Sequence, residues 1–264
     1  MPYNYIKSKP FRGSKGDPPS IPSNKQTPST ESLYDIEVKQ TNKQGLIQPA
    51  GSENDILPAM PCGCLIIGRS GSGKTQAMVN MMTNNNLLGD YFDIVYLFTD
   101  TNPDKELIKD LRLPKKNIIP DFDEEKVKSI MDKASNTIEQ EGFKNSPRIM
   151  FLFDDILSNQ KFLKSKTCTK LATANRHFNI SYIFCSQYYK KLPPVIRTNA
   201  RYYLIFPSSM NEVDKIADEL TPPQMSKKKF INYLQHATAK KYSFMSINAN
   251  SEDPLRRGFD NILI

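Results

Sequence analysis

The chain has 264 residues, 38% of them hydrophobic, with 14 Phe, 12 Tyr and no Trp, which is enough to bury a core and excludes wholesale disorder, and the length suits one α/β domain with appendages. No run approaches the ~18 apolar residues of a transmembrane helix, so no membrane-embedded role is expected; four irregularly spaced cysteines, Cys62, Cys64, Cys168 and Cys185, make no disulfide scaffold and fit a reducing, intracellular compartment. The formal net charge of +8 suggests an anionic partner, and it is unevenly placed: nine Lys and Arg and no acid fall between Ile156 and Phe206, which leaves the rest of the chain near neutral.

Nine of the 19 prolines fall by Pro61, set among Ser, Thr, Asn, Gln and Lys. Such a segment buries too little to offset its chain entropy. Residues 1–60 therefore read as a Pro/Ser-rich arm, basic and flexible from Met1 to about Lys25, with Leu33–Val38 a short strand that docks onto the body. From Cys62 onward strands and helices alternate. Cys64–Ile67 is an apolar strand ending in glycine, and the stretch after Lys74, with Met78, Val79, Met81 and Met82, is helical in composition. Asp93–Phe98 is a second strand. Pro103–Leu111 and Asp123–Glu139 are amphipathic helices that open on acidic residues, which favour a helix N-terminus. Ile149–Phe153, Ser181–Cys185 and Arg201–Phe206 complete five strands. This alternation predicts a parallel sheet with helices on both faces, a core over 61–210. The remainder, 211–264, reads as an extension with helices over Asn211–Leu220 and Pro223–Gln235, a β-prone piece Lys241–Ile247 and a polar tail Asn261–Ile264.

Gly68-Arg69-Ser70-Gly71-Ser72-Gly73-Lys74-Thr75 fits the P-loop pattern G-x-x-x-x-G-K-[ST]. Its glycines let successive N–H groups point at phosphates, the lysine neutralises β/γ oxygens, and the threonine hydroxyl ligates Mg²⁺. A chance match in a chain this long is on the order of one per cent, and this one follows an apolar strand and opens a helix, as the mechanism requires. The strand Ile149–Phe153 then delivers Asp154 and Asp155 at its C-terminal end, a Walker B arrangement. Asp154 would hold Mg²⁺ through water, and Asp155 stands where a water-activating acid belongs. In a five-stranded P-loop sheet the strand after Walker B inserts beside the P-loop strand, so Gln187, at the tip of Ser181–Cys185, would face the γ-phosphate. Cys62-x-Cys64 has no partner Cys or His at finger spacing, so no zinc site is expected.

Ala172 to Gln187 with its Arg176-His177 pair, Leu192 to Asn199, and Arg201 to Ser209, taken with the P-loop and the Asp-Asp Walker B, resemble the FtsK/HerA class of DNA-pumping ATPases. Within it the likeness is to the genome-packaging ATPases of poxviruses, giant viruses and virophages, over roughly residues 60–210. The resemblance implies a RecA-like (ASCE) P-loop fold with a parallel, largely five-stranded sheet in the order 5-1-4-3-2. It also implies an ATP- and Mg²⁺-dependent motor that moves double-stranded DNA, packaging a viral genome. Arg176 matches the arginine that in this family reaches a neighbouring subunit's nucleotide, which implies a homo-oligomeric ring; Arg197 and Arg201 are further candidates for that role. A capsid or portal protein is the implied partner, and the host cytoplasm, a viral factory or the virion the implied setting.

Lys161, Lys164, Lys166 and Lys170 recur every three to four residues in a helical stretch and would share one face, while Lys190 and Lys191 lie beside Tyr188 and Tyr189 on a loop. These lysines would hold the DNA backbone without reading sequence, or form solvated surface. The rival readings are a cellular or plasmid translocase or helicase, a small-molecule kinase, and a slow nucleotide-binding assembly factor.

Overall fold

The computed structural model describes residues 47–53, 55–99, 105–120 and 123–263. The basic arm and the strand expected at 33–38 lie outside the described residues. Among the described residues nine strands form one sheet: β1 (Gly63–Ile67), β2 (Ile94–Thr99), β3 (Ile118–Pro120), β4 (Ile149–Phe153), β5 (Ile180–Ser186), β6 (Tyr202–Ile205), β7 (Met245–Asn248), β8 (Leu255–Arg257) and β9 (Asn261–Ile262). Their order is β3-β2-β4-β5-β1-β6-β7-β8-β9. The five expected strands stand in the expected order, with β5 between the Walker B strand β4 and the P-loop strand β1, and all pair in parallel.

Four further strands widen the sheet beyond the five expected. β3 joins β2 in parallel, and β7 to β9 fold back antiparallel from β6. Their chemistry is that of an edge: without β7, the outer row of N–H and C=O groups on β6 would go unpaired. The chain beyond residue 210 thus continues the core sheet.

β1, β4, β5 and β6 are buried along their whole length, the continuous apolar pattern of strands covered on both faces. Because side chains alternate along a strand, Leu65, Phe151, Phe153, Phe184 and Ile205 pack on one side against α4 (Glu124–Glu141), α6 (Lys166–Ala174), α8 (Met210–Leu220) and α9 (Lys227–Ala237). Cys64, Ile66, Leu152, Ile183 and Leu204 pack on the other against α2 (Lys74–Thr83). Phe153 stacks on Phe98 with ring centroids 4.6 Å apart and meets Phe184 edge-on at 4.7 Å. That layer fixes the backbone from which Asp154 emerges.

Helix starts follow their caps. Asp123 accepts hydrogen bonds from the Glu125 and Lys126 amides at the head of α4. α9 begins at Lys227, later than the expected Pro223, because Ser226 accepts from the Lys229 amide and is the cap. No helix among the described residues is long and apolar enough to cross a membrane.

Candidate active site

β1 delivers the P-loop at its C-terminal end. The Gly68 amide donates to the Ser186 carbonyl at 3.1 Å, tying the loop to the tip of β5. A Cβ at Gly68 would stand 2.4 Å from Phe206 Cβ and 2.7 Å from Ser72 Oγ, so this position has room only for glycine. Gly71 and Gly73 have φ of +69° and +100°, the left-handed region that lets the backbone curl. Gly73 caps α2 without any side-chain hydrogen bond. The first-turn N–H groups, which no intrahelical carbonyl satisfies, are thus not claimed by a capping side chain and can receive an anion. Ser72 Oγ is buried in the loop without a hydrogen-bond partner. Arg69 and Ser70 are exposed at the loop tip.

Lys74, in the first turn of α2, donates from Nζ to the Arg69 carbonyl at 3.0 Å. Burial lowers its pKa, and the charges of Asp155 and Asp154 oppose that shift. Asp154, at the end of β4, has its pKa raised by burial and by the Asp155 charge, with Lys74 and a hydrogen bond from the Thr75 side chain working the other way. Lys74, Thr75, Asp154 and Asp155 therefore form one interacting group. Asp155 is exposed and adopts φ +48°, a left-handed conformation that Asp tolerates better than most residues. Its carbonyl accepts from the Ser158 amide at 3.1 Å and the Ser158 hydroxyl at 2.9 Å, which locks the turn. Gln187 follows β5 directly, half-buried, at the same strand-end edge as the P-loop and the two acids.

The three candidate arginines separate. Arg176 and Arg201 line one cavity of about 270 Å³ with Cys62, Gly63, Asn199 and Asn250, at the edge of the sheet where β1 and β6 begin. Arg201 has its pKa lowered by burial and by the nearby Arg176 charge. Arg197 is instead held within its own chain: Nε and Nη2 donate to Glu219 Oε2 and Oε1, each at 2.9 Å, and Nη1 donates to the Leu192 carbonyl. Tyr189 Oη also donates to Glu219, at 2.8 Å. Arg197 is 7% exposed and so fully engaged as a structural residue.

The Arg197 hydrogen bonds hold the Glu219 carboxyl down to about 2, against the opposing effect of burial. A depressed carboxylate pKa stabilises the fold above its ordinary value and loses that contribution as pH falls through the folded-state value. Arg197→Ala should therefore destabilise the protein by about 3 kcal/mol near neutral pH. In denaturant titrations the deficit should shrink as pH falls from 4.5 toward about 2. A deficit independent of pH over that range would mean that lost packing, not the ion pair, causes it.

The lysines do not share a single helix. Asn159 caps α5 (Gln160–Leu163) by accepting from the Phe162 amide, and Ser165 caps α6 by accepting from the Cys168 amide. These polar side chains compete with a continuous helix, so Lys161 and Lys164 belong to one short turn and Lys166 and Lys170 to another. All four are exposed. Lys170 lies over the Phe178 ring at 4.9 Å and Lys191 over Tyr188 at 4.4 Å, while Lys190 Nζ donates to Asn211 Oδ1 at 3.0 Å. The four cysteines are buried and free, and among the described residues no three His, Cys, Asp or Glu side chains group to hold a metal.

Two contacts of the P-loop had no sequence signal, because their partners lie far along the chain. Phe206, just after β6, floors Gly68, and Tyr242, in the turn before β7, packs against Gly73.

The strand order and the placement of a P-loop and two acids on one sheet edge are those of a P-loop NTPase fold, and the poxvirus A32 protein family matches residues 52–253. The chain belongs to that family. The DNA packaging protein OPG160 of Variola virus is 24% identical over 188 residues, which span 67% of this chain and 64% of that protein. The chain thus spans just under two thirds of the length of that curated relative. Among solved structures, the DNA-packaging ATPase B204 from Sulfolobus Turreted Icosahedral Virus aligns with a TM-score of 0.52 at 16% identity, over 76% of this chain and 98% of that one. The genome packaging NTPase B204 from Sulfolobus turreted icosahedral virus 2, in complex with ATP-gammaS, gives 0.53 at 16% identity over 76% and 98%. At that identity the likeness establishes the fold, a P-loop NTPase with a central, mostly parallel sheet.

Proposed function

We propose that this member of the A32 family is an ATP-hydrolysing motor that translocates double-stranded DNA and packages a viral genome. The observation that carries the reading is the group formed by Lys74, Thr75, Asp154 and Asp155 beyond the ends of β1 and β4, with Gln187 just after the intervening strand β5. Relatives described as a DNA packaging protein and a DNA-packaging ATPase support the biological half.

The P-loop amides from Gly71 to Thr75, with Lys74, bind the phosphates. The donor set fits Mg²⁺, since Thr75 Oγ1 and the Asp154 carboxylate are hard oxygen ligands near enough to interact, and the buried Ser72 hydroxyl lacks a partner. When bound, Mg²⁺ neutralises charge on the β/γ oxygens. Asp155, the exposed acid, orients the attacking water and takes its proton, and the Gln187 amide meets the γ-phosphate. Arg176 completes the site of the next subunit in a homo-oligomeric ring, with Arg201 beside it.

Exposed lysines of the acid-free span, Lys161, Lys164, Lys166, Lys170, Lys190 and Lys191, contact the DNA backbone. Assembly onto a capsid or portal protein follows from packaging, in a viral factory, the host cytoplasm or the virion. The test is ATP turnover with and without duplex DNA across a salt series. Duplex DNA should stimulate turnover, and the stimulation should fade with rising salt as phosphate contacts are lost. Stimulation by single strands or forks in preference to duplex would indicate a helicase, and no stimulation by any DNA would overturn the motor reading.

A further inference from the structure

The P-loop accounts for the phosphates of a nucleotide and leaves its base without a partner. Tyr242 lies next to the loop. Its Cδ1 is 3.3 Å, and its Cβ 3.6 Å, from the point a Cβ on Gly73 would occupy. The residue is 57% exposed, although it is aromatic and belongs to the turn that enters a fully buried strand. It also holds φ +63°, where a bulky residue is disfavoured. The turn maintains that conformation: the Ser243 amide donates to the Lys240 carbonyl at 3.1 Å, and the Lys240 amide donates to Ser243 Oγ at 3.1 Å.

The ring shares its place over Gly73 with the edge of an aromatic layer. Phe206 Cε1 reaches the same point over Gly73 at 3.5 Å; Phe206 packs on Phe244 with centroids 5.1 Å apart, and Phe244 meets Phe259 at 5.0 Å. A flat aromatic surface thus stays exposed beside the phosphate-binding loop. Lys241 Nζ lies 4.8 Å from the ring centroid, so the ring already attracts a cation.

We propose that Tyr242 is the nucleobase platform of this site, stacking the purine of a nucleoside triphosphate whose phosphates lie in the P-loop. The proposal rests on the nucleotide reading above and adds to it the residue that grips the base. Stacking uses the π-face that every base has, so this contact favours the larger purine ring system over pyrimidines and separates ATP from GTP little.

The test is equilibrium binding of two probes, ATP and inorganic tripolyphosphate, to the full chain and its variants. Tyr242→Ala should bind ATP about tenfold more weakly, the scale of one base–aromatic stack, and tripolyphosphate as tightly as the wild type does. Tyr242→Phe should keep the ATP affinity. Tyr242→Gly relieves the positive φ and guards against a folding defect, and it should show the same selective loss as Tyr242→Ala. ATP affinity unchanged in both the alanine and glycine variants would overturn the proposal, as would an equal loss for both probes, which would make the ring a mere prop for Gly73. If wild type binds both probes no better than Lys74→Ala does, the nucleotide reading itself fails, and the platform with it.

Discussion

Lys74→Ala should reduce ATP turnover by about 10²–10³-fold, the scale seen when one preorganised donor to a developing charge is removed, while leaving thermal stability undiminished. The two effects come from the same geometry. Lys74 is half-buried at the start of α2 with its ammonium close to two carboxylates, and burial outweighs their attraction enough to lower its pKa. In the absence of ligand the fold therefore bears a charge that its surroundings disfavour. A bound triphosphate reverses the balance by bringing several negative oxygens to the ammonium. Removing the charge forfeits that interaction and relieves the burial cost, so turnover falls and the melting temperature holds or rises. Parallel ATPase and thermal-melt measurements check both halves. A variant that melts lower and retains its turnover would show that Lys74 is structural and that the phosphates bind elsewhere.

Arg176→Ala should lower turnover by about 10³-fold or more if Arg176 stabilises the transferred phosphoryl group. The loss should be complemented in trans. Arg176 lies at the edge where β1 begins, and the P-loop at the edge where β1 ends. Five residues of strand span about 16 Å, further than an arginine side chain extends, so Arg176 does not serve the P-loop of its own chain. In a ring that mixes Arg176→Ala with Asp155→Asn subunits, some interfaces pair an intact Asp155 with an intact Arg176. Turnover above that of either parent is the expected result. Full activity of Arg176→Ala by itself would remove the residue from the reaction and leave the cavity it shares with Arg201 as a phosphate contact for DNA. Arg197→Ala is a useful control, because its guanidinium is committed to Glu219 and its loss should appear in stability before turnover.

The readable parts of this molecule are local ones. An eight-residue P-loop carries its own conformational instructions in Gly68, Gly71 and Gly73, and an apolar run ending in Asp154-Asp155 announces a buried strand with acids at its tip. Alternating strands and helices announce a parallel sheet, and the P-loop resemblance then implies the order that sets β5 between β4 and β1 and brings Gln187 to the same sheet edge as the P-loop. The same kind of reading misjudged Lys161 to Lys170, because lysine spacing alone carries no record of the caps at Asn159 and Ser165 that divide the segment. It also kept Arg197 and Arg201 beside Arg176 as candidates for one role, with nothing in the spacing to divide them.

What separates those arginines is tertiary. Glu219, from α8, claims Arg197, while the start of β6 brings Arg201 to Arg176. The width of the sheet is a tertiary matter too, since the β-prone piece that becomes β7 gave no sign of its partner, and β8 and β9 are short, mixed in composition and become strands by pairing along an open edge. By itself, then, the sequence determined the fold class, the P-loop turn and the two acids at the end of β4, because each is written in contiguous residues whose backbone preferences and burial are local. Only the tertiary structure decided that Glu219 claims Arg197 while Arg176 and Arg201 share a cavity, that the basic span is broken, and that Phe206 and Tyr242 press on the P-loop. Those outcomes depend on contacts between residues remote in the chain, for which spacing and composition hold no signal.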